Sequence, residues 1–370
     1  MKNPKHLRLM ALIIGVIMLL TSCGTAAATT AATTAGTTTT AGTTAATIGG
    51  TGESSGTTQQ STSATAAGND FPVTVKNGLG EDVTIKTQPQ SIVITNVWAA
   101  EILFELIDVS RIKGLSMWND KPAVTVTSEK AKAVKARVST QRAEEIVALV
   151  PDLVIIDSFS DPDGSLTKTL TGAGAAVLNM ESPTNFTMIS EAIRTLAKAT
   201  GSADAGEKLV SDMEKILSEV KAKTDSIAPA EKVTTLYYEA YYDQSGTNAG
   251  MLAAYGKGST FDAIAEAAGL VNVCDAPNYS AISKEKVVGE WQPEMLVVPE
   301  ILYNDQGEPV KDTSSSLVNA VLKDPLLAPL PAVRNKKVIT ITETYRGSTA
   351  HYMAKAVEEL AKAAYPQLFN

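Results

Sequence analysis

Histidine and cysteine are nearly missing from this chain of 370 residues, which has two of each. His6 lies in an N-terminal leader and Cys23 directly follows it, so the rest keeps one histidine, His351, and one cysteine, Cys274. One imidazole and one thiol cannot assemble the His-rich or Cys-rich ligand set of a bare transition-metal site. They also exclude a disulfide framework, so the fold must rest on its core, with Cys274 in VNVCDAP as a small buried hydrophobe. His351 is expected as a surface or packing residue on a C-terminal helix. Basic runs are absent as well. The formal charge is −8, and loss of Lys2, Lys5 and Arg8 with the leader takes it to −11, which argues against a nucleic-acid partner. No apolar run reaches the ~20 residues of a spanning helix. There is no G-x-S-x-G elbow. GMLAAYGKG at residues 250–258 misses a phosphate loop, because five residues separate its first two glycines and Gly258 stands where Ser or Thr is needed. No carboxylate pair has a spacing that demands acid–base chemistry, so the chain does not read as an enzyme.

What is present begins with a processing signal. Lys2, Lys5 and Arg8 precede an apolar stretch at residues 10–20, and Leu20-Thr21-Ser22-Cys23 closes it. Small residues directly before a cysteine resemble the lipobox of bacterial lipoproteins. Residues 1–22 are then a signal peptide, and Cys23 becomes an acylated N-terminus held at the outer face of a cell membrane. Residues 24–69 are Thr, Ala, Gly and Ser with Glu53 as the one charge, a composition that cannot bury a core. With Cys23 they make a disordered tether, residues 23–69, with an end-to-end distance of roughly 40 Å.

About 300 residues follow, enough for two cores. They divide around residues 202–224, where Leu209, Met213, Ile216, Leu217 and Val220 recur at three- and four-residue spacing between charged positions. This predicts one long helix, with Gly201 ending the helix before it and Pro229 barring its continuation. The flanks share a pattern. EEIVALVPDLVIID from Glu144 and EKVVGEWQPEMLVVPE from Glu285 each place an acid at the start of a short helix, a Pro-acidic pair at its end and a buried strand after it. The second copy carries one extra residue. Two related α/β lobes, residues 70–201 and 225–370, are the expectation. Other predicted elements are a hairpin over residues 71–86, strands at 91–96, 111–115, 153–157, 233–240, 295–298 and 337–341, and a helix with Ser259 as N-cap, Asp262 as the other half of a capping pair and Gly269 at its end.

FPVTVKNGLGEDVTI, PQSIVITN, the two Pro-acidic segments, GKGSTFDAIAEAAGLVNV, LPAVRNKKVITI and AVEELAKAAYPQLF occur in an order that resembles the iron-complex (siderophore or haem) and cobalamin substrate-binding lipoproteins of ABC importers. The likeness covers residues 71–370, with 91–370 as the substrate-binding domain. It implies an α/β fold of two lobes, each a mainly parallel sheet flanked by helices, joined by one long helix. It also implies a monomer that captures a chelate between the lobes and delivers it to a permease with ATPase subunits. The ligand expected first is a ferric siderophore, then cobalamin or haem. No cofactor or resident metal is expected. The enzyme alternative on a similar bilobal fold is a tetrapyrrole metal chelatase, which would want a histidine in the cleft.

By the same resemblance Glu144 and Glu285 match the acids that engage permease arginines. All ten tyrosines lie after residue 236, whereas Trp98 and Trp118 lie in the first half directly after strands. The ligand-facing candidates are therefore Trp98, Trp118 and Phe159 on one lobe, and Tyr241, Tyr242, Tyr303, Tyr345 and Arg346 on the other. Aromatic faces suit a large flat or chelated ligand, and tyrosine hydroxyls or Arg346 could bond its oxygens.

Overall fold

The computed structural model describes residues 71–78, 80–240, 252–304 and 306–370. The signal peptide, Cys23, the tether, Tyr241 and Tyr242 lie outside the described residues. The chain opens with an antiparallel hairpin, β1 (Val73–Lys76) and β2 (Asp82–Ile85). The first sheet holds β3 (Ile92–Ile94), β4 (Ile112–Ser116), β5 (Ala136–Val138), β6 (Leu153–Asp157) and β7 (Ala176–Met180), in the order β5-β4-β3-β6-β7 with every pair parallel. Alternate residues of its strands serve two cores. Ile92, Ile94, Leu153, Ile155 and Leu178 pack towards the helices Val97–Leu106 and Phe186–Thr200. Val93, Val154, Ile156 and Val177 pack towards the helices Ala143–Val147 and Ser165–Gly172. With both faces covered, a continuous apolar run is what such a strand needs.

The second sheet is mixed. It contains β8 (Thr234–Ala240), β9 (Leu252–Tyr255), β10 (Val271–Asn272), β11 (Tyr279–Ala281), β12 (Met295–Val297) and, after the hairpin β13 (Ile301–Tyr303) and β14 (Pro309–Lys311), β15 (Val338–Ile339). The order is β11-β9-β8-β12-β15 with β10 also on β8. β9 is antiparallel to β8 and to β11, and the other pairs are parallel. The last strand is shorter than residues 337–341, because only Leu296 and Val297 are there to pair with it.

The long helix is Ala203–Thr224, about 33 Å at 1.5 Å per residue. Met213 and Val220 are buried, while Leu209, Ile216 and Leu217 are partly buried against the same core. Gly201, at φ 71°, ends the preceding helix and the Ser202 amide bonds Ala197 O at 2.8 Å, a Schellman-type stop. At Gly206 a Cβ would come within 2.4 Å of Ala197 Cβ, so the two helices cross on hydrogen. One apolar cluster runs from Ile92 and Leu103 through Val210 and Met213 to Phe261, Met295 and Leu360. It packs the long helix against both sheets' helical layers and so restricts how far the lobes can swing.

The repeated pattern has a shared geometry. Val150 (φ 48°) and Gln292 (φ 41°) are both left-handed, each directly before its Pro-acidic pair. Asp152 then accepts the amides of Gln90 at 2.7 Å and Ser91 at 3.1 Å, while Glu294 accepts the amide of Thr234 at 2.9 Å. Each acid thus secures the start of its lobe's first strand, β3 or β8. The extra residue of the second copy is absorbed in a π-turn, Val287–Trp291, where the Gln292 amide reaches back five residues to Val287 O at 2.9 Å.

Candidate functional site

Parallel strands end together, so each sheet gathers its outgoing loops on one edge. Two contacts show these edges facing each other. Lys121, just after β4, ion-pairs with Glu308 of the β13–β14 hairpin. Ser348, in the loop after β15, donates to the buried Glu101 Oε2 of the helix Val97–Leu106 at 2.5 Å. Tyr352 adds a hydrogen bond to Glu105 at 2.9 Å. A partly exposed ion pair such as Lys121 with Glu308 contributes about 0–1 kcal/mol. The Lys121–Glu308 contact therefore costs little to open, whereas the Ser348–Glu101 bond is buried and costs more.

On the first lobe Trp98 is buried at 3% exposure, and its Nε1 donates to Asp157 Oδ2 at 3.2 Å. Asp157 ends β6, receives the Phe159 amide at 2.9 Å and is bonded by the Ser182 hydroxyl. One carboxylate therefore ties together the loops after β3, β6 and β7. This places Trp98 in the wall behind the cleft rather than on its surface. Met117 and Trp118 after β4 and Phe159 after β6 are exposed apolar groups, at 56%, 49% and 75%.

On the second lobe Tyr303 is half exposed and burial raises its hydroxyl pKa, with the Glu239 and Glu343 carboxylates adding to the shift. Tyr345 is half-buried, with Lys355 Nζ 5.2 Å from its ring centre. Arg346 differs from the expectation of a guanidinium turned to ligand oxygens. It is 7% exposed, pairs with Glu343 (Nε to both carboxylate oxygens at 3.0 Å), and stacks 4.6 Å from Tyr237 and 4.7 Å from Tyr255. Burial opposes its charge, but the Glu343 carboxylate outweighs that and raises the guanidinium pKa further. Tyr237 donates to Glu343 at 3.0 Å. The cause of the difference is the i,i+3 spacing of Glu343 and Arg346 on one short helix, Glu343–Arg346, which lets each satisfy the other.

The proposed docking acids occupy equivalent places. Each opens a short helix, Ala143–Val147 or Lys284–Lys286, that leads into β6 or β12. A helix feeding a parallel strand runs back along the sheet, so its first turn lies at the outgoing edge. Both glutamates are exposed. Glu145 is half-buried and pairs with Arg142 at 2.9 Å, which separates it from its neighbour Glu144. The Glu285 carboxyl is held below its usual pKa by its own backbone amide and by the Ser283 hydroxyl.

Among the described residues no three His, Cys, Asp or Glu side chains gather as a metal site. His351 sits before the helix Met353–Ala364, its ring 4.0 Å from that of Tyr352. Burial lowers its pKa to about 4, with Lys355 and Lys130 assisting and Glu105 opposing.

Glu101 is the titratable group at the lobe contact that sequence reasoning missed, since an isolated acid inside an apolar helix reads as a surface position. Burial raises its pKa to about 7, partly offset by the Ser348 and Thr125 hydroxyls and the Val126 amide. Its folded pKa lies above the unfolded value of 4.5, so its stabilising share is full below pH 4.5 and is lost as pH rises through 7. That loss amounts to about 3 kcal/mol. His351 acts with the opposite sign between pH 6.5 and 4. The difference between wild type and Glu101→Gln isolates the carboxyl: urea unfolding at pH 5 and 8 should show the variant gaining relative to wild type at pH 8. An unchanged difference at the two pH values would remove Glu101 as the source.

The sequence profile of the periplasmic binding protein family matches residues 92–345, more than two-thirds of the chain. The chain belongs to that family. A substrate-binding lipoprotein of an ABC transporter from Bacillus subtilis, YvrC, is 24% identical over 313 residues, 84% of this chain and 91% of its own length. A cobalamin-binding protein of Halobacterium salinarum is 25% identical over 302 residues, covering 80% and 73%. Among solved structures, the apo haem-binding protein RhuT of Roseiflexus superposes with a TM-score of 0.59 at 24% identity, covering 75% of this chain and 99% of that one. This periplasmic binding protein is the substrate-binding component of an ABC importer, a family of solute receptors whose partners are a permease and its ATPase. No helix among the described residues is long and apolar enough to cross a membrane.

Proposed function

We propose that the protein is a lipid-anchored, extracytoplasmic receptor for an organic metal chelate, foremost a ferric siderophore, with a corrinoid or haem as cargo of the same class. The observation that carries this reading is the pair of facing edges with exposed aromatic groups, Trp118 and Phe159 on one lobe and Tyr303 on the other. Such surfaces bury a large flat or compact chelate better than a small solute, whose binding would need a tight polar shell. The chain acts as a monomer. Cargo enters between the lobes, a modest closure covers it, Glu144 and Glu285 dock on the permease, and separation of the lobes releases it.

The binding claim is tested by tryptophan quenching of the full chain with ferric siderophores, cyanocobalamin and haemin. Saturable sub-micromolar quenching by one of them is expected, and Trp118→Ala or Tyr303→Ala should weaken it by roughly tenfold or more, about 1.4 kcal/mol. Equal affinity in both variants would move the site elsewhere. The anchor is tested separately. Cys23→Ser should release the protein from the membrane fraction without altering its chelate affinity, and retention of the variant there would refute acylation at Cys23.

A further inference from the structure

The loops that form the cleft have an unusual charge account. Among the described residues, the segments leaving β3 to β7, β10 to β12 and β15 contain four lysines or arginines and more than twice as many acidic residues. Each of the four is matched. Lys121 pairs with Glu308 and Lys311 with Glu300, the latter at 2.6 Å. Arg142 pairs with Glu145, and Arg346 is closed in behind Glu343 and two tyrosine rings. Lys355, from the C-terminal helix, lies over the rings of Tyr345 and Tyr352. The Lys121 pair crosses between lobes, but it sums to zero whether the lobes are together or apart.

From this we infer that the cargo carries no net negative charge: it is an uncharged or cationic chelate, such as a corrinoid or a hydroxamate-type ferric complex. A ferric tris-catecholate, with three negative charges, and haem, with two propionates, are the wrong sign. A polyanion closing into this cleft would meet carboxylates across a low-dielectric gap and would have to break an existing ion pair to gain a cation. Releasing Arg346 would leave Glu343 buried and unpaired. For an uncharged chelate the aromatic walls suffice, and a cationic one also gains from the surrounding carboxylates. The inference rests on the chelate-receptor reading and narrows it.

The test is calorimetric titration of the full chain with four probes in one buffer: cyanocobalamin, ferrioxamine B, haemin and ferric enterobactin. The tightest binder is expected among the first two, by at least a hundredfold over either of the others. If ferrioxamine B is the tight one, raising sodium chloride from 50 to 500 mM should weaken it several-fold, as screening requires. Tightest binding of haemin or ferric enterobactin overturns the charge rule and leaves the chelate receptor standing. Binding of none of the four, by a sample shown to be folded, overturns both.

Discussion

A chain carrying Glu144→Lys and Glu285→Lys together should bind its cargo as wild type does and deliver almost none of it. Both acids are exposed on first turns at the outgoing edges of their sheets, one on each lobe. Among the described residues neither has a hydrogen bond or ion pair to Trp118, Phe159 or Tyr303. Two carboxylates on separate lobes fix the receptor's orientation on the permease and steer its approach, so reversing both replaces attraction with repulsion at two points. Each single reversal should reduce uptake in part, and the pair should lower it at least a hundredfold. Chelate affinity should stay within twofold. Uptake of labelled cargo by cells that carry the matching permease, with affinity measured on the purified variants, separates the two effects. Undiminished uptake by the double variant would remove these residues from docking, and a parallel loss of affinity would place them in binding instead.

Glu343→Gln should be the most destabilising of the conservative changes in the second lobe. It leaves the Arg346 guanidinium at 7% exposure without a counter-ion and weakens the acceptor for Tyr237. Breaking a buried pair by removing one partner costs about 3–5 kcal/mol, because the remaining charge cannot return to water. Against a total stability of order 5–15 kcal/mol, that is a large share. Replacing both members, Glu343→Gln with Arg346→Met, should recover most of the loss, since the stranded charge is gone and methionine can fill the space between Tyr237 and Tyr255. Urea unfolding of the three proteins decides it. A cost below 1 kcal/mol for the single change would mean that Arg346 reaches solvent in the folded chain.

The parts of the fold that could be read from sequence are those with a period. The stripe of residues 202–224 is the long helix, and Ser259, Asp262 and Gly269 cap the helix Thr260–Ala267: Ser259 Oγ accepts the Asp262 amide at 3.2 Å, and Gly269 has φ 80°. The two Pro-acidic segments were visible as a repeat. Their shared left-handed residues, Val150 and Gln292, were not, because neither is a glycine or asparagine. Short antiparallel strands escaped as well. LAAY, inside the stretch at residues 250–258 that misses a phosphate loop, is β9, wedged between β8 and β11. Four residues of mixed size carry no alternation of their own, so only pairing reveals them.

The candidate aromatics can be picked out of the sequence by residue type, but their disposition cannot. Trp118 and Phe159 are exposed beside the cleft, whereas Trp98 is held by Asp157 and Arg346 by Glu343. Which of several aromatics faces solvent depends on hydrogen bonds between loops distant in sequence, and a linear pattern contains no sign of them. Asp157 and Glu101 illustrate this. Each joins segments far apart in the chain: Asp157 links Trp98 and Ser182, and Glu101 links Thr125 and Ser348.

The central claim is that cargo lies between the lobes and enters only when they part. It is tested most directly with Lys121→Cys and Glu308→Cys, at the two positions whose native side chains already meet across the cleft, joined by a short bismaleimide; Cys274 is buried and should not compete. Linked before exposure to cargo, the protein should bind none of the chelate that the unlinked double variant binds. Linked after loading, it should retain that chelate through dialysis. Equal binding by the empty linked protein and the unlinked one would contradict the account, since the cargo would then have reached its site without the lobes separating.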